Sequence, residues 1–299
     1  MDFDARDVLR RAWQITWNHK VLWFFSALPM VPVILYVPII GYYFLSNDSM
    51  SEISSLLKDP TLVLLIFLVI VLTGVVSFLL QVFGRSAITF GTVQLANGQS
   101  PPTFGNIFEG GWRFLRPMLG AMLLAGIGTI LFLTVFSGAL TLVGFVTFGL
   151  GSVVGQFLFF PATLLVSAVI EQSQTAIVAD AISPTDAIRH AWELVKENLG
   201  IFALVTIVLY IGLAIISGIA ALPVTAPLFV VVVGRFAGEI VNPSLLGVAL
   251  SCLVAFIPLY ILVQAILMVY VRSVHVITYL RLTRRPSLQP LPRTGEGTS

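Results

Sequence analysis

The sequence predicts an all-α integral membrane protein with six transmembrane helices, and three observations lead there. Of 299 residues, 58% are hydrophobic and 10% charged, whereas soluble domains carry roughly 25% charged residues. The charges are clustered, leaving charge-free windows at 21–47, 60–84, 117–170, 198–234 and 240–271, each longer than the ~20 residues that cross a bilayer core. Finally, the chain repeats a tryptophan-centred pattern three times, dividing it into three like units.

The spans follow in chain order from the windows. The first is Val21 to Ser46, carrying Pro29, Pro32 and Pro38, and prolines of this kind kink helices and free carbonyls. The second is Thr61 to Gly84. Window 117–170 would be about 81 Å long as one helix, so it must reverse, and Gly149 and Gly151 mark the turn. That gives the third and fourth spans, Leu119 to Phe145 and Val153 to Ile170. The fifth and sixth are Ile201 to Ala221 and Leu245 to Val271. Between them, Pro223 to Asn242 reads as an external loop or interfacial helix, with a re-entrant segment as the alternative.

Charge sets the orientation. With the N-terminus inside, 14 of the 16 lysines and arginines fall on cytoplasmic segments and only Lys58 and Arg235 fall outside. This is the asymmetry the positive-inside rule describes, and it places both termini in the cytoplasm. The acidic, then amphipathic, N-terminus lacks a cleavage-site pattern and is expected to be retained. A lone cysteine, Cys252, excludes a disulfide framework and a thiolate metal site. Dispersed basic residues with a net charge of +2 point away from nucleic acid as a partner.

The repeats align Asp4–Lys20, Thr103–Leu119 and Ser183–Leu199 on Trp13, Trp112 and Trp192, offsets of 99 and 80 residues. Copies one and three share Asp7/Asp186, Arg10/Arg189, Ala12/Ala191 and the tryptophan. Asp4, Thr103 and Ser183 occupy N-cap positions, followed at N3 by Asp7, Asn106 and Asp186. Each copy thus predicts an amphipathic interfacial helix ahead of a transmembrane hairpin. The repeats run over about 4–97, 103–182 and 183–283, one polytopic membrane domain, with 284–299 a disordered cytoplasmic tail rich in proline, glycine and polar residues. Trp13, Trp112 and Trp192 are read as interfacial anchors.

Each even-numbered span ends on one charge, Arg85, Glu171 or Arg272, and is followed by some ten moderately apolar residues. Those extensions, Ser86–Ala96, Gln172–Ile182 and Ser273–Leu282, are expected to project beyond the membrane and pack in a cytoplasmic layer. The three charges would then lie at one depth, with Glu171 paired to Arg85 or Arg272; the alternative is that each snorkels to headgroups. No catalytic, cofactor-binding or metal-binding motif is present among those sought, and His19, His190 and His275 occupy unmatched repeat positions.

Leu95-Ala-Asn-Gly-Gln-Ser100 leading to Trp112, Ser183-Pro-Thr-Asp-Ala-Ile-Arg-His-Ala-Trp192, and Thr278-Tyr-Leu-Arg281 together resemble bacterial six-helix inner-membrane proteins of the type attached to glycerophosphoryl diester phosphodiesterases as their membrane domain. The resemblance implies topology and a bacterial inner membrane. This chain has no soluble catalytic domain, and its closing motif lacks an acidic residue before the final arginine, so activity is not carried over. The expectation is a non-enzymatic scaffold or accessory factor for envelope lipids or membrane complexes, with membrane lipids and other membrane proteins as partners. A small-molecule or lipid transporter is the alternative, and an intramembrane enzyme the third reading.

Overall fold

The computed structural model describes residues 3–32, 59–147, 150–236 and 243–283. Those residues are mostly α-helical. The chain begins with α1 (Ala5–Asn18), where the Asp4 carboxylate accepts the backbone N–H groups of Arg6 and Asp7 at 3.0 and 3.3 Å, satisfying donors that have no partner within the helix. Val8, Ala12, Ile15 and Thr16 form its buried face. His19 closes it, and α2 (Val21–Ala27) follows, tightening into a 3₁₀ turn at Leu28–Met30 around Pro29. The remainder of the expected first span, with Pro38, lies outside the described residues, as do Lys58 and the tail at 284–299.

Next comes α3 (Pro60–Ala96), at 37 residues about 55 Å long, well beyond a ~30 Å hydrocarbon core. It stops because Gly98 takes a left-handed φ of +70°, which glycine does without steric cost. The N–H groups of Gly98 and Gln99 then return to the carbonyls of Leu95 and Gln94 at 3.1 Å, a Schellman closure.

After that, α4 (Phe104–Val146) starts on the Thr103 hydroxyl, which accepts the N–H of Asn106 at 3.4 Å. Here the structure departs from the expected interfacial helix over Thr103–Leu119, for the helix runs through Pro117 without a break. Residue chemistry explains why. The position that ends α1 is His19 and the one that ends the third copy is Asn198, whereas the equivalent here is Met118, which is fully buried and offers the backbone no competing hydrogen bond.

Of the turn expected at Gly149 and Gly151, Gly149 lies outside the described residues, and Gly151 is inside the next helix rather than in a turn, since α5 (Leu150–Asp180) begins before it and continues with Pro161 inside. Ala181 then adopts a φ of +53°, a left-handed turn that leads into α6 (Pro184–Glu197). The Ser183 hydroxyl accepts the N–H of Asp186 at 3.3 Å and Pro184 sits in the first turn, where its missing N–H costs nothing. The three helices α4, α5 and α6 pack on one another.

In the penultimate helix, α7 (Leu199–Phe236), the stretch from Pro223, expected as an external loop, an interfacial helix or a re-entrant segment, is helical as far as Phe236 and continuous with the preceding span, which corrects the loop reading there; the rest of it to Asn242 lies outside the described residues. Prolines are tolerated in apolar helices when neighbouring groups and local adjustment re-satisfy the backbone. The last helix is α8 (Pro243–Thr283). Five described helices contain segments long and apolar enough to span a membrane: Pro60–Ala96, Phe104–Val146, Pro161–Asp180, Leu199–Pro227 and Gly247–Thr283. The protein is therefore an all-helical, multi-pass type of membrane protein.

Two compact units result. One contains α1, α3 from Arg85, α4 to α6, α7 as far as Tyr210 and α8 from Val269; the other contains the described residues of Trp23–Gly84 and Ile211–Met268. In the second unit Gly84 lies against Phe25 so closely that a Cβ would overlap the Phe25 carbonyl oxygen. There too, the Ser217 hydroxyl approaches Gln264 Oε1 at 3.4 Å and links α7 to α8.

A buried polar layer as the candidate functional site

The first unit has an interior that is unusually polar for so apolar a chain. Ser86, Thr89 and Thr92 of α3, Gln172 to Thr175 of α5, and Arg272, Ser273, His275 and Thr278 of α8 are all buried. These stretches are the continuations beyond the single charges, and their burial bears out packing of the extensions into a layer. Small residues let the helices meet. At Gly110 a Cβ would overlap the Phe90 ring, and beside it the Ser86 hydroxyl donates to the Gly111 carbonyl at 2.6 Å. The hydroxyls of Thr89 and Thr175, each four residues beyond its span's charge, donate back to the backbone carbonyls of Arg85 and Glu171 at 2.8 and 3.0 Å.

The structure brings Arg85, Glu171 and Arg272 together. Arg272 Nη1 stands 2.5 Å from Glu171 Oε2, and Arg85 Nη1 stands 3.8 Å from Glu171 Oε1. One carboxylate thus bridges two guanidinium groups from two other helices, so Glu171 takes both partners rather than one. Arg272 is the more deeply buried, at 2% exposure, and its Nη1 also donates to Gln174 Oε1 at 2.6 Å. Alongside, Gln172 Nε2 and His275 Nδ1 lie 3.2 Å apart. The carboxylate neutralises one arginine, which leaves the bridge with one net positive charge.

Below the bridge, two further ties were not anticipated as contacts. Tyr279, wholly buried on α8, donates its hydroxyl to Asp180 at the end of α5 and meets the His190 ring of α6 edge-on at 6.0 Å. Arg281 is ion-paired with Asp7 of α1, which also pairs with Arg11 at 3.2 Å. Both residues belong to the Thr278–Arg281 motif, and the acidic partners carry the only legible signal: Asp7 at an N3 position, and Asp180 at the end of a polar run. Comparison with known proteins places none of this in a described family. No family model, curated protein or solved structure matches the chain.

The tryptophans, in contrast, are not gathered into a site. Trp13, Trp112 and Trp192 stand on three different helices and are 51%, 65% and 56% exposed. On α1 the Trp13 and Trp17 rings stack at 5.4 Å, and Tyr270 of α8 meets Trp13 edge-on at 5.9 Å. The polar layer, with the charge bridge inside it, is therefore the part of the molecule whose chemistry is concentrated. Its arrangement holds charge in fixed register among three helices: the carboxylate can be shared or shifted between two arginines without leaving the interior.

Proposed function

We propose that this is a non-enzymatic multi-pass protein of the bacterial inner membrane, acting as a scaffold or accessory factor for envelope lipids or membrane complexes. In this reading it has six spans arranged as three repeats, with both termini in the cytoplasm. Parity supports the span count: the ion pair of Asp7 with Arg281 is consistent with an even number of crossings between them, and the described helices long and apolar enough to span number five. In this reading the sixth crossing begins with the apolar helix Val21–Met30. The three N-caps at Asp4, Thr103 and Ser183 are consistent with the repeat, and the resemblance to phosphodiesterase-associated membrane domains suggests the same topology.

The observation that carries the scaffold reading is the exposure of the apolar first part of α3 over its whole circumference. Every residue of α3 from Pro60 to Leu72 is exposed, so the helix offers contact area to lipid or to partner helices on all sides, while the polar layer holds the other end fixed. Transport of a small molecule or lipid is the second reading, favoured by Arg272 Nη2 and Gln174 Nε2, which are buried with no hydrogen-bond partner among the described residues.

The deciding experiment is pull-down of the tagged, detergent-solubilised protein, with mass spectrometry of proteins and lipids against an unrelated six-helix control. A reproducible protein partner upholds the scaffold reading. Selective enrichment of one small molecule or lipid without a protein partner would replace it with transport.

A further inference from the structure

The outer face of α1 carries a pattern that the polar layer does not use. Arg6, Arg10, Trp13 and Trp17 follow one another at spacings of four, three and four residues, so they form a single stripe along the helix, and all four are exposed. The stripe lies away from the buried Val8, Ala12 and Ile15. Neither Arg6 nor Arg10 has an ion pair among the described residues, because the acidic groups of this helix are engaged elsewhere: Asp4 caps the N-terminus, and Asp7 is held by Arg11 and by Arg281. The face is left with positive charge and two large amphipathic rings. Two tryptophans suit the headgroup level of a bilayer, and unbalanced cations beside them suit its negative surface.

The equivalent face of α6 makes a contrast within the molecule. Trp192 is flanked by Arg189 and Lys196, but Glu193 and Glu197 are exposed on the same helix, and Arg189 is paired with Glu193 at 3.3 Å. Its charge is balanced where that of α1 is not.

We infer that the Arg6–Arg10–Trp13–Trp17 face of α1 is a binding surface for the headgroups of anionic phospholipids. This rests on the reading of the chain as a membrane protein with α1 at the interface, and it names the lipid class that the proposed accessory role would engage. The arginines recognise phosphate through paired N–H donors, while the indoles fill the boundary between headgroup and acyl chain. The stripe spans about 17 Å from Arg6 to Trp17, long enough for more than one headgroup.

The test uses the full chain in phosphatidylcholine nanodiscs doped with phosphatidylglycerol, counting retained lipids by native mass spectrometry. Wild-type protein is expected to retain phosphatidylglycerol preferentially. The R6Q/R10Q variant should weaken that retention roughly 25-fold, about fivefold for each cation, with the unfolding temperature unchanged because the buried face of α1 is untouched. R6K/R10K should restore most of the binding, and R189Q/K196Q should leave it intact. Equal retention of the two lipids by wild type, or unchanged retention by R6Q/R10Q, overturns the inference. Displacement of phosphatidylglycerol by an acidic polyglutamate peptide but not by inorganic phosphate would also overturn it, in favour of a protein partner. These outcomes are independent of the pull-down, which tests the scaffold reading whether or not α1 selects lipids.

Discussion

Glu171 is the residue on which the polar layer turns. Both arginines of the bridge depend on it, and Arg272 has almost no access to solvent. Removing one partner of a buried pair strands the other charge, at a cost of about 3–5 kcal/mol, so E171Q is expected to lower the thermal unfolding midpoint in detergent sharply. R85Q should cost clearly less, since Arg85 is less buried and stands farther from the carboxylate. If E171Q and R85Q unfold at the same temperature as wild type, the bridge contributes nothing to stability. The three charges were legible because each stood alone in an apolar stretch. Gln174, which accepts from Arg272, and the neighbouring pair Gln172 and His275 were not, because these hydrogen bonds join residues about a hundred positions apart, and no local pattern marks which polar side chain of a helix faces another.

At the scale of the element, local chemistry was read well and interruptions were read badly. Caps depend on a residue and its next three neighbours, so Asp4, Thr103 and Ser183 were evident. Pro223 and Pro227 looked like breaks because proline removes a donor, yet α7 runs through both. Packing between helices gives a graded test. G84A places a methyl against the Phe25 carbonyl and is expected to destabilise by about 1–3 kcal/mol. G110A should cost less, because the Phe90 ring can rotate away where a backbone carbonyl cannot. G126A has nothing within 4 Å of its new methyl and should be neutral or gain up to about 1 kcal/mol from helix propensity. Unfolding temperatures in any other order would mean that these glycines do not set the helix approach.

For the whole molecule, the ion pair of Asp7 with Arg281 fixes the first turn of α1 beside the last turns of α8. Single cysteines at Ala5 and Thr283, in a chain with Cys252 replaced by serine, should both react with a membrane-impermeant maleimide in inverted membrane vesicles and neither in intact cells. Labelling from opposite sides would require an odd number of crossings and would remove the six-span reading. The charge asymmetry that predicts the orientation sums over many residues and tolerates local error, and this labelling tests it. The division into two compact units was not predictable in this way, because it follows from how portions of α3, α7 and α8 partition by contact, and hydropathy is blind to where along a continuous helix the neighbours change.

Met118 has a mechanical consequence. Where α1 and α6 have a joint after their first fourteen residues, α4 has none, and its 43 residues make a rod about 65 Å long. A joint lets an interfacial segment shift while the span behind it stays still; a rod acts as a lever. A tilt of about 5° applied at Phe104 of a straight helix would displace the Val146 end by about 6 Å over that length, so a load at Trp112 would be carried along α4, whereas α1 and α6 each end before the helix that follows them.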